Sequence, residues 1–242
     1  MLDTWRHLLL AHPDAWVARS HGVQGCATGI PSPGLNGVWA ARLDPDPAEL
    51  DRMLGELDER KLPHLLQLRP GTDASATAVA ERRGLEPDED VPLMRLDDSA
   101  RIHAAEPPPG FTIRPLDPDE AELHALTAAA GFGEPPEHFV RLVPPELLRA
   151  EGTRAYVGDV DGQVATTALG VTLGDYVGVF NVATPKAQRR RGYGAAITAR
   201  VVADGLAAGA SWAWLQSSSV GYRVYEALGF KTVERWRCWV RA

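Results

Sequence analysis

Cysteine is scarce in this chain: two among 242 residues, Cys26 and Cys238, one near each end. No pair stands at zinc-knuckle or CxxC spacing, so both read as small core thiols. The seven histidines are dispersed and form no HExxH or similar metal-binding pattern, so no metal is expected. Long apolar runs are missing too. None approaches the roughly 18 residues of a membrane span. The early run Leu8–Ala11 is cut by His12, Pro13 and Asp14 and is too short for a secretory signal. The chain is therefore read as cytoplasmic, with no membrane partner. The 19 Pro and 23 Gly follow no repeat, which excludes collagen-like and low-complexity readings.

An excess of positive charge is also lacking. The net charge is -7, and it is unevenly placed. Residues 1–108 carry 18 acidic and 11 basic side chains, whereas residues 109–242 carry 14 of each. A nucleic-acid partner is excluded, because duplex phosphates need an extended basic face. The dense basic segment, Lys186 to Arg191, suits a single polyphosphate instead.

What is present is an ordinary globular composition, 45% hydrophobic and 24% charged, enough for one large core or two modest ones. The segment 97–110 ends in Pro107, Pro108, Pro109 and Gly110 and reads as a linker. It separates an α/β module at 1–96 from a second domain at 111–242. A short internal echo supports tandem modules. Leu65-Leu66-Gln67 parallels Trp214-Leu215-Gln216, and each is followed by a helix, a Gly (Gly84 or Gly229) and a strand. The first copy is four residues longer.

In the second domain, strands are expected over 111–115, 155–173 as a hairpin, 175–182, 211–216 and 230–240. Helices are expected from 117, from 136, over 194–208 and over 221–228, the last stopped by Gly229. Between the strand ending at Val182 and the helix lies a basic loop closing on Gly192-Tyr193-Gly194. Glycines let the backbone approach a ligand closely, and the free amides of a first helical turn favour an anion. A Walker loop would need a terminal Lys-Ser or Lys-Thr, and a dinucleotide fingerprint a third Gly, where position 197 is Ile.

The pattern Arg189-x-x-Gly192-x-Gly194 resembles the pyrophosphate turn of the GCN5-related N-acetyltransferases. Trp212 to Gln216, then Tyr222 to Tyr225, then Leu228-Gly229-Phe230 follow it in that family's order and spacing. The resemblance spans residues 111–242. It implies a mixed α/β fold: a mostly antiparallel twisted sheet flanked by helices, the acyl-coenzyme A N-acyltransferase fold. It also implies transfer of an acetyl group from acetyl-coenzyme A to a small-molecule or peptide amine, and a homodimer as one assembly to expect.

By the resemblance, Val182, Ala183 and Thr184 face the thioester and pantetheine, with the Val182 N–H as oxyanion donor. The cofactor's diphosphate falls to Arg189, Arg190, Arg191, Gly192, Tyr193, Gly194 and Ala195. Tyr225 matches the acid that protonates the leaving thiolate, and Tyr222, one turn earlier, competes for that role. Ser218 stands where many members have an Asn. No base is evident, since Phe180 and Asn181 occupy the positions where a carboxylate is common. Phe132, Glu134 and His138 fall where the acceptor would be covered, with Glu137 beside them. On the residues alone two other readings stay open: a non-catalytic coenzyme A sensor or interaction module, and a nucleotide-binding protein.

Carried onto residues 1–96, the template meets Asp44-Pro45-Asp46-Pro47 in place of the basic glycine turn, and Ala80 in place of Tyr225. This half reads as a degenerate acetyltransferase-like or accessory module that does not bind acetyl-coenzyme A in the same way.

Overall fold

Two strand–helix–strand crossovers carry the architecture, one in each of two compact units, Met1–Pro92 with Glu234–Ala242 and Leu93–Val233. The computed structural model describes residues 1–10, 12, 15–97, 102 and 107–241. Residues 98–101 and 103–106 of the expected linker lie outside that description.

In chain order the elements are α1 (Leu2–Leu10), β1 (Trp16–Ser20), β2 (Val23–Ala27), β3 (Asn36–Ala40), α2 (Pro47–Glu59), β4 (His64–Leu68), α3 (Ala74–Arg82) and β5 (Glu86–Leu96). Then come β6 (Phe111–Pro115), α4 (Ala121–Phe132), α5 (Pro136–Leu142), α6 (Pro145–Arg149), β7 (Thr153–Val160), β8 (Gln163–Leu173) and β9 (Tyr176–Ala183). The last are α7 (Tyr193–Ala207), β10 (Trp212–Gln216), α8 (Tyr222–Ala227) and β11 (Lys231–Arg241). Among the described residues no helix is long and apolar enough to cross a membrane.

In the first unit β1, β2 and β3 pair antiparallel, β3 and β4 pair parallel, and β4 pairs antiparallel with Arg237–Arg241. Helix α2 makes the crossover between the parallel strands. Its apolar residues recur at helical spacing, so Leu50, Met53, Leu54 and Leu57 form one buried stripe. That stripe packs in one cluster with Val38, Leu66 and Leu68.

In the second unit Leu93–Leu96 pairs antiparallel with β10, β10 pairs parallel with β9, and β9, β8, β7 and β6 continue antiparallel. The sheet is thus mixed and mostly antiparallel, flanked by helices. Helix α7 bridges β9 and β10 and buries Ile197, Val201 and Val202 with Val177, Val179, Ala213 and Leu215. Gly229 stops the short α8 in the left-handed region, at φ 98°.

Helix α4 is built from small residues where it meets the sheet. Ala125, Ala128 and Ala129 cluster with Ala183 and Phe139. At Gly131 the approach is closer still, since a Cβ there would lie 2.7 Å from the Ala183 Cβ and 3.0 Å from the Thr184 amide nitrogen. Both neighbours belong to the backbone region at the end of β9, which cannot swing aside. Gly131→Ala is therefore expected to lower unfolding stability by roughly 1–3 kcal/mol, as overpacking does. Urea unfolding checks it. An unchanged midpoint would mean the helix does not press on the strand.

Candidate active site

The parallel ladder between β9 and β10 is short. It pairs Trp212 with Tyr176, Ala213 with Val177 and Trp214 with Gly178, and then stops. Beyond it, Val179–Ala183 and Leu215–Gln216 run on without pairing to each other, so the two strands fork. The cause lies in β9. Its register against β8 moves from Leu169↔Phe180 to Thr167↔Ala183, so three residues of β9 answer two of β8. Asn181 sits in this bulge in the left-handed region, at φ 49°. Asn is among the few non-glycine residues that tolerate that conformation. Bulges bend a strand and re-aim its groups.

The carbonyls at the end of β9 are already engaged. Thr166 Oγ1 donates to the Ala183 carbonyl at 2.9 Å. It lies 2.9 Å from Thr184 Oγ1 as well, and having spent its own proton it accepts from that hydroxyl. Arg189 donates through Nε to the Thr184 carbonyl at 3.0 Å and through a terminal nitrogen to the Gly131 carbonyl at 2.7 Å. The guanidinium thus ties the end of β9, the end of α4 and the basic turn together. Val182 is partly buried against the α7-side core, and Ala183 is buried against α4.

The turn itself offers donors. Arg190 and Gly192 are both left-handed, at φ 67° and 84°. Gly192 caps α7 without any side-chain hydrogen bond, and the first intrahelical bond runs from the Ala196 N–H to the Gly192 carbonyl. The N–H groups of Tyr193, Gly194 and Ala195 therefore lack helical partners. Arg190 and Arg191 are exposed, and neither forms an ion pair among the described residues. Tyr193 contributes main chain only, because its ring is buried and stacks on Phe111 at 4.6 Å.

Gly194 is unlike the other glycines of the site. A Cβ there would meet nothing nearer than Thr184 Oγ1 at 3.6 Å, an ordinary contact. Neither packing nor backbone conformation within the chain requires a glycine at this point of the helix, where it costs stability relative to Ala.

Helix α8 separates the two tyrosines. Tyr222 lies 3.0 Å from Thr232 Oγ1 through its hydroxyl. Tyr225 is buried, meets Phe230 edge-on at 6.1 Å and makes no hydrogen bond through its hydroxyl among the described residues. Burial pushes its pKa up to about 12, which keeps the phenol protonated. Ser218 Oγ accepts from the Gly221 N–H at 3.2 Å and so caps the loop before α8, with its own proton still to give.

The α4–α5 corner holds Phe132, Glu134 and His138. Phe132 is 52% exposed and stacks on Phe139 at 5.4 Å. Glu134 and His138 face each other at 3.2 Å, and Glu137 is exposed nearby.

One group at the sheet escaped the sequence reading. His124 on α4 is fully buried, with Nδ1 2.6 Å from Thr167 Oγ1 and Nε2 without a partner among the described residues. Thr167 donates its proton to the Tyr156 carbonyl, so Nδ1 must carry the imidazole proton. The run Ala128–Gly131 signals a tightly packed helix, but nothing in it singles out His124.

The first unit repeats the crossover and closes it. Pairing of β3 with β4 runs from Gly37↔Leu65 to Ala40↔Leu68, and the Arg69 N–H continues it by donating to the Ala40 carbonyl at 3.1 Å. The start of α2 is occupied as well, by the Asp46 carboxylate accepting from the Ala48 N–H at 2.9 Å. Pro47 at the first helical position removes a further donor. Asp44 is paired with Arg42 at 3.0 Å.

Solved structures similar to this chain are numerous. The chain is similar to a GCN5-related N-acetyltransferase from Kribbella flavida, at 19% identity and a TM-score of 0.71, covering 98% of this chain and 92% of that one. It is similar to a GCN5-related N-acetyltransferase-like protein from Streptococcus suis, at 14% identity and 0.65, with full coverage of both chains. A tandem GNAT protein from the clavulanic acid biosynthesis pathway matches at 16% identity and 0.61, over 94% of this chain and 82% of that one. No family profile and no curated protein matches the sequence. The chain has the GCN5-related N-acetyltransferase fold, as the resemblance in its second half implies.

Burial gives His124 a testable signature. Its pKa is lowered to about 4 from 6.5 because the charged form would be desolvated. Between pH 6.5 and 4 the unfolded chain binds a proton that the folded chain refuses. The neutral imidazole's contribution is therefore complete above pH 6.5 and is lost as pH falls through 4. His124→Gln is expected to flatten this part of the stability–pH curve by about 3 kcal/mol, read from urea unfolding across the window. Parallel curves for the two proteins would contradict the assignment.

Proposed function

We propose that the second unit is an N-acetyltransferase that moves an acetyl group from acetyl-coenzyme A to a primary amine. The observation that carries the reading is the open β9–β10 fork beside a helix start whose amides lack partners among the described residues. The diphosphate of the co-substrate is taken by the amides of Arg190 to Ala195, with the free cations of Arg190 and Arg191 adding attraction. Arg189 serves this site by holding the turn, since its guanidinium is committed to two carbonyls. The pantetheine arm lies along Val182, Ala183 and Thr184, and Ser218 offers a hydroxyl from the opposite side of the fork.

Acetyl transfer needs a stabilised oxyanion and a proton for the departing sulfur. The Val182 N–H supplies the first. Tyr225 supplies the second, being neutral, buried and uncommitted, whereas Tyr222 is engaged with Thr232. Phe132, Glu134 and His138 border the acceptor. In the first unit a closed fork and a carboxylate-capped helix leave no equivalent place for a diphosphate, so that unit acts as an accessory module. We place the protein in the cytoplasm, where acetyl-coenzyme A is available to it.

Two variants test this. Gly194→Leu adds a side chain at a point where a Cβ makes only an ordinary contact, so it is expected to keep the fold while weakening coenzyme A by about tenfold or more, read by calorimetric titration. Unchanged affinity would remove the diphosphate from this turn. Tyr225→Phe is expected to lower turnover by about 100-fold with coenzyme A affinity retained. Intact turnover would remove the acid role.

A further inference from the structure

The two strands of the fork carry no charged side chains. On β9 the stretch runs from Tyr176 to Thr184 and on β10 from Trp212 to Ser217, and neither contains Asp, Glu, Lys, Arg or His. Trp214 closes the ladder. It is 3% exposed, stands edge-to-face with Phe180 at 5.3 Å, and its indole N–H has no acceptor among the described residues. Gly178 makes room for this pair, since a Cβ there would lie 2.7 Å from the Phe180 ring and 3.1 Å from the indole nitrogen. Phe180 itself is only partly buried.

Asn181 follows in the bulge. It is partly buried, and its carboxamide makes no hydrogen bond among the described residues. The cation across from Trp214 is already spent. Arg95 pairs with Asp97 at 2.6 Å and lies over the Trp212 ring at 4.2 Å. Glu134 and His138, at the α4–α5 corner, are paired with each other.

Resting on the transferase reading above, we propose that the acceptor is an arylalkyl primary amine without an α-carboxylate, its ring seated against Phe180 and its nitrogen oriented by the Asn181 carbonyl oxygen. Aromatic surface rewards an aromatic body. A carboxylate next to the amine would be drawn from water between two strands that carry no cation to meet it, and that desolvation is unfavourable. Asn181 accepts a hydrogen bond from the amine but takes no proton. In the transfer, nitrogen bonds to the acetyl carbon and the carbon–sulfur bond breaks. The amine gives one proton to solvent, and the thiolate receives one from Tyr225, which solvent replaces.

The test uses the full chain with acetyl-coenzyme A and two acceptors of the same body, 2-phenylethylamine and phenylalanine. Coenzyme A binding is measured in parallel. The expected result is kcat/KM at least about tenfold higher for 2-phenylethylamine. Asn181→Gly keeps the left-handed backbone and removes the carboxamide, so it is expected to raise KM for 2-phenylethylamine about fivefold with coenzyme A affinity unchanged. Equal or better use of phenylalanine, or failure to acetylate 2-phenylethylamine, would overturn the acceptor class. An unaltered KM in the Gly variant would remove Asn181 from it. Failure to bind coenzyme A would instead overturn the transferase reading.

Discussion

A strand edge that loses its neighbour must find other partners for its backbone, because a buried N–H or C=O left alone costs as much as a lost hydrogen bond. That constraint governs the second unit. The bulge at Asn181 turns β9 away from β10 after only three paired positions. The carbonyls released near the fork are met from within the chain by Thr166 and Arg189. The amides at the start of α7 are not met among the described residues. A place whose acceptors are used and whose donors remain favours an anion or a polarised carbonyl oxygen. Arg189 and Gly131 matter because they hold strand end, helix end and turn at one place.

The first unit supplies the contrast within the same chain. Its β3–α2–β4 crossover has the same parallel pair, yet the ladder runs to the end of β3. Trp39 donates through its indole N–H to Gln67 Oε1 at 3.1 Å, and Trp5 stacks on Trp39 at 5.7 Å. Asp46 does for α2 what a ligand anion does at an open helix start. One crossover pairs its ladder to the end and caps its helix from a side chain, and the other forks and has a helix start with no side-chain cap. The difference rests on a bulge, two glycines and one carboxylate.

The elements with strong local punctuation were legible in the sequence. Gly192 and Gly229 fall where left-handed backbone is needed, and the helical spacing of Ile197, Val201 and Val202 marks the buried face of α7. Asp46 and Pro47 also stand out in the sequence as a helix start, and the structure has Asp46 capping α2. Contacts distant in sequence were not legible. Arg189 reads as one more cation of a basic cluster until the carbonyls of Thr184 and Gly131 are seen to occupy it. Tyr222 and Tyr225 lie one turn apart, and only Thr232, reached through a separate strand, distinguishes them. The bulge is a count of residues between two strands, and the composition of β9 does not encode it. His124 has no motif, because what isolates it is a threonine 43 residues away.

The most direct test of the account is a backbone amide nitrogen–proton spectrum of the full chain titrated with coenzyme A. The largest shifts are expected at Val182–Thr184 and Arg190–Ala195, with the amides of Asp46 and Ala48 at the start of α2 unmoved. Shifts centred on α2, or saturable binding that leaves the α7 turn unperturbed, would contradict it.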